Sequence, residues 1–150
     1  MTIELTGEDL SIFSAFEKVT HVMPTDYLAT ENFMIFLVTP ETLGKAIGAK
    51  GANIDKLRQA LMKRVVIIGD SSDPEAFIRS FFGNVNISNI EERNIMGESN
   101  YLVTVDEKDR GIAIGRDGER IKAAKVLLKK KFNASIQLRT KRSSGNEGVI

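Results

Sequence analysis

GKAIGAKGANI, residues 44–54, returns 67 positions later as GIAIGRDGERI, residues 111–121. Gly44, Ala46, Ile47, Gly48, Gly51 and Ile54 fall on Gly111, Ala113, Ile114, Gly115, Gly118 and Ile121, and the match runs on without a gap to Leu61 on Leu128 and Lys63 on Lys130. Upstream, FMIFLV (33–38) falls on NYLVTV (100–105). A repeat of about half the 150-residue chain indicates two domains of one fold. A unit of that size can bury a small core of its own and need not stack as a solenoid. We divide the chain into a first domain, 1–70, a second, 71–140, and a flexible tail, 141–150.

A Gly-x-x-Gly by itself says little, because about one is expected by chance in a chain of this length. Gly145 to Gly148 is such a match, and we read it as chance. The longer pattern carries the weight: an apolar strand, Gly-x-x-Ile-Gly-x-x-Gly-x-x-Ile, then a basic amphipathic helix, twice in register.

The flanks complete the unit. Residues 8–20 place Leu10, Phe13, Phe16 and Val19 at helical spacing behind Glu8 and Asp9. Residues 21–28 suggest a short strand that Pro24 confines to an edge or a bulge, and 33–38 a buried one. Pro40 and Glu41 open a helix that Gly48 to Gly51 break. A second helix follows over 52–62 and a strand over 65–68. In the second copy Asp73-Pro74 supplies an N-cap and a first-turn proline, followed by a helix with Phe77, Ile78, Phe81 and Phe82 on one face. Strands are predicted over 85–90, 101–105 and 134–138, with helices over 108–114 and 119–131. The order in each half is α-β-β-α-α-β, an α+β sandwich with a three-stranded sheet packed on helices.

Hydrophobic residues make up 42% and charged residues 27%, which suits a folded globular chain. With no cysteine there is no disulfide framework, thiolate zinc site or cysteine nucleophile. The acidic N-terminus lacks the pattern of a secretory signal and no apolar run could span a bilayer, so a cytoplasmic protein without membrane association is expected. Net charge is only +1, but it is unevenly spread. Residues 1–43 carry −6, 44–64 carry +5, 65–107 carry −6 and 108–131 carry +6. Both positive windows coincide with a copy of the motif, which favours anion binding there.

Glycine at each end of a short inter-helix loop permits unusual backbone angles and removes side chains that would hold a phosphate away. The helix that starts at the loop offers unpaired N–H groups and the positive end of its dipole. Such a loop can hold a sugar–phosphate backbone while a neighbouring groove receives bases.

The segments 47–54 and 114–121 resemble the core motif of the KH family, and the element order is similar to its type II arrangement. The resemblance covers roughly residues 5–140 and, as a tandem pair, is closest in kind to the archaeal NusA-like transcription factors. It implies sequence-selective binding of single-stranded RNA in transcription termination or antitermination, with RNA polymerase or a nascent transcript complex as partner and no cofactor, metal or small-molecule substrate. Gly48, Ala49, Lys50 and Gly51 would form the first backbone clamp, and Gly115, Arg116, Asp117 and Gly118 the second. Ile47, Ile54, Ile114 and Ile121 would line or support the groove, or serve as ordinary core. Lys45, Lys56, Arg58, Arg116, Arg120 and Lys122 would reach phosphates, or in part serve as solvated helix residues. Asp117 departs from the pattern by placing a carboxylate in the second clamp, so the first is the cleaner electrostatic site.

An enzyme is the first rival. The single histidine, His21, has no partner for catalysis, neither glycine segment matches a P-loop or dinucleotide spacing, and Asp70 and Asp73 read as turn caps. A KH scaffold that docks protein on the acidic 1–43 region, a ribosome-associated or RNA-maturation factor, and a single-stranded-DNA binder are the others.

Overall fold

The computed structural model describes residues 7–141 and 147–149. The chain divides after Ser71 into two compact units.

In the first unit, helix α1 (Gly7–Thr20) starts with Glu8 and Asp9 in its first turn and buries Phe16 and Thr20. The Thr20 hydroxyl donates to the Phe16 carbonyl at 2.8 Å. His21, in the left-handed region at φ 60°, turns the chain out of the helix. This turn and the proline at 24, which has no N–H, delay the first strand. Strand β1 is therefore Asp26–Ala29, shorter than the sequence suggests. Strand β2 (Phe33–Val38) is buried at all six positions and pairs antiparallel with β1. On its other side it pairs parallel with β3 (Arg64–Gly69).

A parallel pair needs a crossover. It is supplied by a 3-10 turn (Pro40–Thr42), helix α2 (Leu43–Ile47) and helix α3 (Ala52–Leu61). Phe16 and Phe36, both fully buried, pack with ring centroids 4.4 Å apart. Around them lie Met34, Val38, Ala46, Leu57, Val65 and Ile67. Asp70, just past β3, accepts a hydrogen bond from Thr25 at 2.6 Å.

The Tyr27 hydroxyl donates to the Asp9 carboxylate, tying β1 to α1. That bond, followed by burial, pushes the phenol up to about 12. Tyr101, the other of the two tyrosines, is also raised, chiefly by burial. A raised folded value means that folding favours the neutral phenol. Tyr27's contribution is thus complete below about pH 10 and is lost as pH rises through about 12. Tyrosinate absorbance of the native protein should therefore lag behind that of the urea-unfolded chain above pH 10. Coincident titration curves would contradict the Tyr27–Asp9 bond.

The second unit repeats the order. Asp73 accepts the Ala76 N–H at 3.0 Å as the N-cap of α4 (Pro74–Phe81), with Pro74 in its first turn. Strands β4 (Ile87–Ile95) and β5 (Glu98–Asp106) form an antiparallel hairpin. It turns at Met96 and Gly97, with φ 53° and 83°. The hairpin is longer than the sequence suggests because residues 91–94 are polar and bury no face, so no alternation marks them. Helix α5 (Arg110–Ile114) and helix α6 (Glu119–Phe132) cross over to β6 (Ser135–Lys141), which is parallel to β5.

A short strand, β7 (Glu147–Val149), adds antiparallel to β6, so the sheet of the second unit has the order β4-β5-β6-β7, while that of the first is β1-β2-β3. Part of the expected flexible tail is thus a strand, while residues 142–146 and 150 lie outside the described residues. Among the described residues no helix is long and apolar enough to cross a membrane.

Candidate nucleic-acid interface

The two glycine loops have the same backbone. Gly48 lies at φ 79°, ψ 168°, and Gly115 at φ 78°, ψ 173°. Lys50 (55°, 29°) corresponds to Asp117 (56°, 25°), and Gly51 (72°, 20°) to Gly118 (72°, 14°). Three of four residues in each loop therefore have positive φ. The first glycine occupies a region open essentially to glycine alone. The third and fourth residues are left-handed, a conformation that aspartate and asparagine accept more readily than most side chains. This gives Asp117 a backbone reason to be where it is, independent of its charge.

The two glycines of each loop have different jobs. A Cβ on Gly115 would stand 2.7 Å from Arg120 Cβ and 2.9 Å from its backbone nitrogen. One on Gly48 would stand 3.0 Å from the Asn53 side chain and 3.2 Å from its nitrogen. A Cβ on Gly51 would meet nothing within 4 Å, and one on Gly118 only Lys122 Cε at 3.7 Å. The first glycine lets the loop close onto the following helix. The second only supplies the left-handed turn.

Helices α3 and α6 both begin at the loop, with N-caps Gly51 and Gly118 that carry no side-chain acceptor. Their first-turn N–H groups thus lack the usual serine or aspartate cap. Just before them in the chain come exposed Ala49 and Lys50 in the first loop and exposed Arg116 and Asp117 in the second. An uncapped helix start favours an anion; Lys50 adds positive charge at the first, whereas Asp117 offsets Arg116 at the second.

The predicted cations separate by environment. Lys45, Lys50, Lys56, Arg58 and Arg116 are exposed, and no ion pair among the described residues engages them. Lys122 is exposed too, with its ammonium 3.4 Å from the Asp117 carbonyl. The Arg120 guanidinium, by contrast, donates to the Ile112 carbonyl at 3.0 Å, the Phe81 carbonyl at 3.1 Å and Asn84 Oδ1 at 2.6 Å. The four isoleucines are half-buried, and Ile47 and Ile54 pack against the core of the first unit.

Asn53, at the position matching Arg120, is a residue that the sequence reading passed over. Its amide donates to the Lys45 carbonyl at 3.2 Å, as Arg120 does to Ile112. The repeat register alone could have found it, because Asn53 and Arg120 fall on each other.

Residues read as rivals have structural partners. His21 N–H closes α1 on the Glu17 carbonyl at 2.7 Å, and Asp73 caps α4 by accepting the Ala76 N–H at 3.0 Å. Among the described residues no group of three or more histidine or carboxylate side chains could hold a metal.

No protein-family model matches the chain. A Halobacterium salinarum protein named "Probable transcription termination protein NusA" is 30% identical over 136 residues, covering 89% of this chain and 95% of the relative. A protein of the same name from Methanocaldococcus jannaschii is 26% identical, covering 85% and 70%. Among solved structures, the crystal structure of APE1850 matches with a TM-score of 0.73 and 34% identity, over 91% of this chain and all of that one.

Proposed function

The chain belongs to the family of archaeal NusA-like transcription termination proteins, and on that premise we propose that it acts by binding single-stranded RNA through two KH-type loops. One observation carries the reading. The same strained, glycine-bounded backbone is built twice, each time at the uncapped start of a helix of ten residues or more and beside exposed cations. The glycines adopt these angles freely, but Lys50 and Asp117 each bear the left-handed cost, about 1–2 kcal/mol, which persists where the surroundings impose it. Finding it in both units at equivalent positions favours a shared ligand over a chance turn.

Gly48 to Gly51 and Gly115 to Gly118 would each receive a sugar–phosphate stretch, about four nucleotides for a loop of this type. Lys45, Lys50, Lys56, Arg58, Arg116 and Lys122 supply the field around them. Ile47, Ile54, Ile114 and Ile121 offer half-exposed apolar surface to bases beside the loops. Base selectivity would come from that surface, since phosphate contacts carry no sequence information. The nascent transcript in a polymerase complex is the RNA that a termination factor would meet, so RNA polymerase is the proposed protein partner.

The test is a titration of short single-stranded RNAs, with single-stranded DNA of the same sequence and duplex RNA as controls. Single-stranded RNA should bind most tightly. Equal affinity for the DNA would make the protein a general single-strand binder, and preference for the duplex would remove the clamp reading. Lys50→Ala should weaken all RNA sequences alike and flatten the salt dependence of log K by about 0.7, the value for one phosphate contact on a single strand. An unchanged slope would take Lys50 out of the phosphate contacts.

A further inference from the structure

We propose that Arg120 is a positioning residue that holds the second loop in its anion-binding shape, rather than a phosphate ligand. The inference rests on the nucleic-acid reading of the loops.

Arg120 lies in the first turn of α6, two residues after Gly118. Its Cβ and backbone nitrogen occupy the space that a side chain on Gly115 would need. Its guanidinium donates to acceptors on three segments. They are the Ile112 carbonyl in α5, the Phe81 carbonyl at the last residue of α4 and the Asn84 side chain in the loop that follows. The ring carbons complete the seat: the guanidinium carbon lies 5.4 Å from the Phe82 ring centroid and 6.0 Å from that of Phe81.

Each contact suits arginine specifically. The last carbonyls of a helix have no partner within it and carry the negative end of its dipole, so a cation with several N–H groups satisfies them. A planar guanidinium can fork to acceptors in different directions and stack on aromatic faces at once, which a lysine ammonium cannot. Arg120 thereby fastens the helices on both sides of Gly115 to Gly118 to the end of α4. The first unit has the shorter version of the device, since among the described residues Asn53 in α3 reaches the Lys45 carbonyl in α2 alone. The second loop, which carries Asp117 and so holds less positive charge, has the more extensive brace. Preorganisation there offsets weaker electrostatics.

The experiment compares Arg120→Lys, Arg120→Gln and Asn84→Ala with wild type. Folding is checked by circular dichroism, single-stranded RNA affinity is measured across a salt series, and amide hydrogen exchange is followed at residues 115–118. Arg120→Lys keeps the charge but cannot make the fork. It should lose about tenfold in affinity with an unchanged salt slope, because a small misplacement of a binding group is costly. Asn84→Ala alters no charge and removes one acceptor, and should lose about threefold. Exchange at the loop amides should quicken in both variants.

If Arg120→Lys binds like wild type and Arg120→Gln flattens the slope by about 0.7, Arg120 is a phosphate ligand and the proposal fails. Should wild type bind no RNA at all, the functional reading is what fails. The exchange data still decide the brace, since unchanged loop protection in folded Arg120→Lys overturns it.

Discussion

Reversing charge at the exposed loop positions should abolish RNA binding without unfolding the protein. Ala49→Asp with Lys50→Asp would turn the first loop from cationic to doubly anionic, and Arg116→Asp would leave the second with two adjacent carboxylates. A hydrogen bond to a charged group contributes about 1.5–3 kcal/mol, and every 1.4 kcal/mol is a factor of ten. Each loop variant should thus lose affinity about tenfold or more, and the combined variant at least about 100-fold. These positions are chosen because the structure makes them separable from folding. Ala49, Lys50 and Arg116 are exposed, and Asp117 already occupies the backbone angles that aspartate at 50 would adopt. Wild-type affinity in the folded combined variant would refute the clamp.

The glycines should behave unequally in stability. Gly115→Ala forces a Cβ to within 2.7 Å of Arg120 Cβ in a backbone region that is nearly closed to other residues. Strain of about 1–3 kcal/mol and overpacking of similar size together imply a loss of about 3 kcal/mol or more from the second unit. Gly48→Ala meets the tip of Asn53 first, a side chain that can move, and should lose about 2 kcal/mol. Gly118→Ala and Gly51→Ala have room for the methyl and bear only the left-handed penalty, about 1 kcal/mol. Gly118→Asn should be closer to neutral still. Urea unfolding of the four alanine variants checks the order. Equal losses at Gly115 and Gly118 would mean that the close approach to Arg120 does not govern the loop. The same geometry advises against replacing Gly48 or Gly115 to test binding, because lost affinity would then report lost structure.

Asp117 illustrates how charge and backbone compete for one position. From charge alone it weakens the second loop toward an anion. From conformation it is among the better residues for φ 56°. Lys50 makes the opposite choice in the first loop, gaining charge and accepting a less favoured conformation. The two units need not contribute equally to affinity, and the single-loop variants above would measure the difference.

Much of this molecule was legible in the chain itself. Two copies of one pattern in a gapless register gave two α-β-β-α-α-β units, because strands and helices follow from apolar periodicity and from proline and glycine placement, which are local. Phe33 to Val38 could be read as a buried strand for that reason, and Asp73-Pro74 as a helix start. Where elements carried little periodicity, the reading fell short: the polar outer half of the β4–β5 hairpin, and β7, whose three residues form a strand only because β6 offers an edge to pair with. The loops were likewise marked by paired glycines with a lysine or arginine between them, but their division of labour was not. Which glycine must lack a side chain depends on the following helix, whose Arg120 or Asn53 would lie only 2.7–3.0 Å from an added Cβ. What Arg120 does depends on Phe81 and Asn84, which lie 39 and 36 positions earlier in the chain. The sequence by itself determined the repeat, the fold and the position of both loops. Only the tertiary structure decided which cations are exposed without an ion pair among the described residues and which one is hydrogen-bonded across three segments, because partners remote in the chain are assembled by packing and leave no periodic trace.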